Sequence, residues 1–219
     1  MKRKGLAMLI CLGTLLPSLG TSQGLHDGTK TRLLEIAVSI DATNADVSDV
    51  LRELAVNYHI SCGIEFVSSN RAPGSEHKVT IHAVDEKVKN VLDSVVAQDP
   101  RYQWALLDGA INMMPSSKSD SILDVEILAL HLHNVDVNEA SREIMGLEQV
   151  RASLHKHHLE AGEFSPWRPN QGMNEVRISI DSRPSTLRQL LNQIAQQTGF
   201  WSAAAFGSDY WISFGTVGS

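Results

Sequence analysis

The stretch IDATNADVSDVLREL, Ile40 to Leu54, carries a strand, a short Asn-x-Asp-Val turn from Asn44 to Val47, and the start of an amphipathic helix. LHLHNVDVNEASREI, Leu130 to Ile144, repeats that order 90 residues later, with Asn134 to Val137 in the turn. Val79 to Met113 reads strand, helix, strand, strand, and Ile178 to Ile212 repeats it 99 residues later. Solenoid repeats are shorter than this, so the period means two copies of one small domain. The prediction is an α+β chain of two tandem small domains, residues 25–116 and 117–219. Each is ordered β-α-β-β-α-β-β, with two helices packed on short sheets.

Local chemistry supports each element. Ile36, Val38 and Ile40 alternate as in a half-buried strand. Asp46 caps the first helix and Asp49 follows at its positive end. Val47, Val50, Leu51 and Leu54 form one apolar stripe, and the helix is predicted to end near Tyr58 or His59. Val88, Val91, Leu92 and Val95 give the second stripe, stopped at Asp99-Pro100. Tyr102 to Met113 is a hairpin turning at Asp108-Gly109. Pro115 to Ser121 is the candidate linker. The second copy is read as a long strand from Ile122 to Leu132, a helix capped by Asp136, and a clear stripe at Leu187, Leu190, Leu191 and Ile194. A hairpin from Trp201 to Phe214 closes it, and 148–174 is read as a long polar loop.

Residues 1–24 read as a secretory signal peptide: Lys2, Arg3 and Lys4, an apolar run from Gly5 to Leu16, then Pro17 and small residues. That run is short for a membrane span, so no stable membrane insertion is expected after cleavage. The expected location is outside the cytoplasm. Without those three cations, 16 basic residues face 25 acidic ones, a net charge of −9. That balance disfavours nucleic acid or an anionic membrane as partner. Only Cys62 remains, set among Ile60, Ile64 and Phe66, which predicts a buried thiol.

The Asn-x-Asp-Val turn and the Val-x-x-Val-Leu-x-x-Leu helix, then strand, strand and a second helix, resemble the STN domain. That is the short domain at the N-terminus of secretins and of signalling TonB-dependent receptors. The resemblance covers Val38 to Leu54 with Val79 to Met113, and more loosely Leu130 to Ile144 with Ile178 to Phe214, about half of the chain beyond residue 24. Leu128 to Ile144 also looks like the start of the KH-like repeats of secretins. The resemblance implies a docking role in the bacterial cell envelope, with an envelope protein as partner and a periplasmic or secreted location. The long middle loop departs from the pattern.

Little in the sequence points to catalysis. No Gly-x-Ser-x-Gly elbow, His-Glu-x-x-His or phosphate-binding glycine loop occurs. Asp46, Asp49, Asp136 and Glu139 are explained by capping. The chain is therefore read as a non-enzyme without a cofactor. The best binding candidate is the proline-stiffened loop with Phe164, Trp167 and Arg168, since Trp and Arg anchor many interfaces. The alternative there is a loop that buries Trp167 on its own domain. Exposed sheet edges are a second route to a protein partner. The alternative function is metal binding by His155, His157 and His158, with His131 and His133 on one strand face as a further ligand pair.

Overall fold

The computed structural model of the chain describes residues 32–67, 77–117, 120–162 and 176–216. The first copy runs β1 (Ala37–Ala45), α1 (Val47–Tyr58), β2 (Cys62–Glu65), β3 (Val79–Lys87), α2 (Val88–Gln98), β4 (Tyr102–Leu107) and β5 (Ala110–Pro115). After a 3-10 turn, Ile122–Asp124, the second runs β6 (Glu126–Ile127), β7 (His131–Val135), α3 (Val137–Gly146), α4 (Glu148–Lys156) and β8 (Glu160–Ala161). It ends with β9 (Ile178–Asp181), β10 (Ser185–Thr186), α5 (Leu187–Thr198), β11 (Gly199–Phe206) and β12 (Asp209–Thr216). The chain is α+β.

The repeat holds at the level of register. In the closing hairpins, Tyr102 faces Pro115 and Trp201 faces Phe214, 99 residues on. In the opening ribbons, Ala42 faces Ile81 and Leu132 faces Ile180. Asn44 and Asn134 take the same left-handed conformation, φ 52° and 54°, which asparagine tolerates better than most residues. Their N–H groups donate to Thr80 Oγ1 at 3.2 Å and Ser179 Oγ at 3.0 Å. Gln98 clamps the backbone of Thr80 at 2.8 Å from both ends of its amide, and Gln197 does the same to Ser179 at 3.1 and 3.2 Å. Asp41 and His82 pair across one ribbon at 2.6 Å; His131 and Asp181 pair at the same place in the other, with acid and imidazole exchanged.

Each copy builds its own core, one around Leu51, Leu54, Leu92 and Ile111, the other around Ile144, Leu190, Leu191 and Ile212. Their sheets, however, are not separate. β2 pairs in parallel with β11, making one six-stranded sheet in the order β4-β5-β2-β11-β12-β8. The faces reverse across that seam. Phe200, Cys62 and Ile111 lie side by side on the face of the first core, whereas Trp201 beside Gly63 lies on the face of the second. The two helical layers therefore cover opposite faces.

Two readings of the second copy need correction. Ile122 to Leu132 is not one strand: Ile122 and Leu123 are both buried, as in a helical turn, and Ser121 Oγ accepts the Leu123 N–H at 3.1 Å. The loop expected over 148–174 opens with α4, which buries only Val150 and Leu154. One i, i+4 pair is too little stripe to read as a helix. Cys62 is buried as expected, and burial pushes its thiol well above the usual range.

Asp99, which stops α2, is buried and accepts from Arg101 Nε at 2.8 Å and Nη2 at 2.7 Å. These bonds hold its carboxyl below the usual range against the opposing effect of burial. A depressed folded-state pKa adds stability above the unfolded value, near 4, which is lost as pH falls through the folded value. Asp99→Asn is expected to cost about 1–3 kcal/mol at pH 7. The cost should shrink toward pH 3, as urea midpoints at the two pH values would record. An equal loss at both would make the effect one of packing.

Candidate functional site

The seam between the copies brings together polar and aromatic side chains from both of them. β2 directs alternate backbone groups to each neighbour. Ile111 N–H donates to Ser61 O at 2.8 Å on one side, and Phe66 N–H donates to Ala203 O at 2.8 Å on the other. Phe200 of β11 sits in the first core, 3% exposed, and the Arg52 guanidinium of α1 lies 5.4 Å from its ring centroid. Trp201 is fully buried and donates Nε1 to Asn192 Oδ1 at 2.9 Å. Its ring occupies the space a side chain at position 63 would need: a Cβ on Gly63 would lie 2.0 Å from Trp201 Cε2.

Helix α5 locks this arrangement from the other face. Asn192 Nδ2 donates to Leu107 O at 3.2 Å and Gln196 Nε2 to Asp108 O at 2.7 Å, gripping the first hairpin. Arg188, nearly buried, donates Nη2 to Glu65 Oε2 at 2.6 Å and to Ser121 Oγ at 3.3 Å. Ser121 Oγ lies 2.5 Å from Glu65 Oε1, and Asp124 lies 3.5 Å from Arg188 Nε. Tyr210 stands beside this group, and burial, then the Glu65 carboxylate, push its phenol far up. Among the described residues, Arg188 Nη1 and Tyr210 OH have no hydrogen-bond partner.

Among the described residues the sheet ends at β4 on one side and β8 on the other. In the two-residue hairpin, Leu107 opposes Ala110, so Trp104 and Leu106 direct their backbone groups away from β5. Trp104 is half-buried and donates Nε1 to Asp93 Oδ1 at 2.9 Å. Beside β8 runs a groove of about 720 Å³, lined by residues of α3, α4, β8 and β12 that include Arg142, Met145 and Trp211.

The residues singled out from sequence fall elsewhere. Phe164, Trp167 and Arg168 lie outside the described residues. His131 and His133 are exposed on β7, and His131 is engaged by Asp181. His155 lies in the last turn of α4, with His157 at its end. Among the described residues, no three His, Cys, Asp or Glu side chains stand close enough to hold a metal ion. Tyr102, Trp201 and Tyr210 are core, while Trp104 and Trp211 are half-buried. No helix among the described residues is long and apolar enough to cross a membrane.

Compared with protein-family models, curated proteins and solved structures, the chain matches none of them. Sequence reasoning missed Glu65, Arg188 and Phe200. Aligning the two copies at their fixed offset would have marked Phe200, because an apolar residue there replaces Arg101.

Proposed function

We propose that this chain is an exported, non-enzymatic adaptor of the bacterial cell envelope that binds a protein by adding a strand to an edge of its sheet. One observation carries the reading: the molecule already holds its two halves together this way, through β2 and β11. Backbone hydrogen bonds supply the affinity in such joints, and side-chain pockets beside the edge supply the specificity. The two terminal strands, β4 and β8, are the surfaces on which the same chemistry is available to another chain. The resemblance of each copy to STN domains and the basic, apolar start of the chain support the envelope setting.

Position-specific photo-crosslinking in the native cells tests this. A photoreactive residue at Gln103 on β4 or Glu160 on β8, both exposed, is expected to capture one dominant protein. The same residue at Lys89, exposed on α2, is expected to capture none. Equal labelling at all three positions, or none, would sink the reading.

A further inference from the structure

We infer that the β8 edge and its groove receive an extended strand of a partner protein that presents an aromatic side chain, held as Phe200 is held at the seam. The inference rests on the strand-adding reading above and names its site and its ligand. The equivalence is residue by residue. Arg52 of α1 corresponds to Arg142 of α3, 90 residues on. Cys62 and Gly63 correspond to Ala161 and Gly162, and Met113 to Ile212, each 99 residues on. The parallel pairing agrees: Cys62 faces Ile111, and Ala161 faces Tyr210, itself 99 residues after Ile111.

In the first copy, β11 covers this place: Phe200 lies beside Cys62 with Arg52 over its ring. In the second, the corresponding place is the groove of about 720 Å³, with Arg142, Met145, Ala161, Gly162, Trp211 and Ile212 among its walls. The walls fix the chemistry of the occupant. Apolar walls from Met145, Trp211 and Ile212, with the exposed guanidiniums of Arg142 and Arg151 beside them, suit an aromatic ring, which gains both burial and a cation–π contact. The backbone is also ready. Glu160 and Gly162 donate their N–H groups to Ser208 O, just before β12, at 2.7 Å and to Tyr210 O on β12 at 2.9 Å. Alternation then directs the Ala161 N–H outward, as Cys62 in β2 faces β11.

A second copy of this chain does not suit the groove. Its Arg101, immediately before β4, stands where β11 carries Phe200. That guanidinium is held by Asp99 at 2.7 Å, and in the groove it would meet Arg142. The ligand is therefore a strand of a different protein.

The probe is a peptide with the sequence of β11, Gly199 to Phe206, flanked by glutamates for solubility. It would be titrated into the isotope-labelled full chain and followed by NMR. Saturable shifts are expected at the Trp211 indole and the Gly162 amide. Replacing the peptide's first Phe by Ala should weaken binding at least about tenfold, from lost aromatic burial. Arg142→Gln should weaken it several-fold. Ala161→Pro, which removes only an outward N–H at a sheet edge, should abolish it. Lys89→Gln should change nothing. Three results would overturn the site: no saturable shift, shifts at Gly63 and Trp201 from invasion of the seam, or shifts confined to Tyr102–Leu107. Concentration-dependent shifts of Trp211 together with β4, without peptide, would make the occupant a second copy and overturn the partner assignment. A chain that captures its partner through Gln103 yet ignores the peptide keeps the adaptor reading and loses this site.

Discussion

Gly63→Ala is expected to destabilise the protein by about 3–5 kcal/mol, in the range of losing a large buried aromatic. The added Cβ would lie 2.0 Å from Trp201 Cε2 and 2.2 Å from Nε1, inside contact distance for any pair of atoms. Overpacking alone usually costs about 1–3 kcal/mol. Here relief means moving a fully buried indole, and with it the bond from Trp201 Nε1 to Asn192. Asn192 also holds Leu107 of the other copy, so the disturbance crosses the seam. A double-mutant cycle with Trp201→Leu checks the cause, because touching residues couple. The pair should cost much less than the sum of its members. Additive losses would mean that Gly63 is needed for its backbone and not for the indole. Gly162→Ala is the internal comparison. Its Cβ would lie 2.1 Å from Trp211 Nε1, but that indole is only half-buried and stacks on the exposed Phe206, so it can shift at less cost than the enclosed Trp201. Its expected cost is about 1 kcal/mol, at the low end for overpacking.

That contrast marks what the sequence conveys and what it does not. The copies were legible because each is built from local signals. Asp136 before Val137 and Ala140 is a cap before a stripe, and the structure places Asp136 on the Asn138 and Glu139 N–H groups at 2.8 Å. Asp108-Gly109 is a two-residue turn, and Asp108 takes φ 49° there. Both depend on neighbours a few residues away. The seam depends on neighbours far away. A parallel pairing of β2 with β11 leaves no alternation that differs from that of any other buried strand. Gly63 announces itself only when Trp201 is placed upon it. The histidines of β7 illustrate the same limit from the other side. His131 and His133 look like a ligand pair by their spacing, yet His131 answers Asp181 across the ribbon, as His82 answers Asp41. Read side by side at their offsets, the copies would have exposed that exchange. The α4 helix has no counterpart in the first copy, so no comparison within the chain could have supplied it.

Arg188→Ala should be as damaging, and for an electrostatic reason. Arg188 and Glu65 have side chains only 9% and 15% exposed, and they meet at 2.6 Å across the seam. Removing one partner of such a pair leaves the other charged and poorly solvated, which costs about 3–5 kcal/mol. Replacing both by apolar residues avoids that penalty, so Arg188→Met with Glu65→Leu is expected to recover most of the loss. Failure of the double variant to recover would assign the effect to Arg188's bond with Ser121 or its contact with Asp124. The shape of the unfolding curve separates the seam from general stability. Each copy has its own core, and besides the shared sheet the links between them among the described residues include Phe200, Asn192, Gln196, Ser61, the Ser121–Glu65 bond and this ion pair. The intact chain should melt in one transition. Arg188→Ala should broaden it or split it in two, with amide exchange rising first at Cys62–Phe66 and Phe200–Ala205, the strands of the seam. A single sharp transition, merely shifted down, would show that the ion pair stabilises the second copy and not the seam. The proposed β8 site lies on the far side of β12 from this ion pair. A chain weakened at the seam should therefore still bind the aromatic peptide wherever its second copy remains folded.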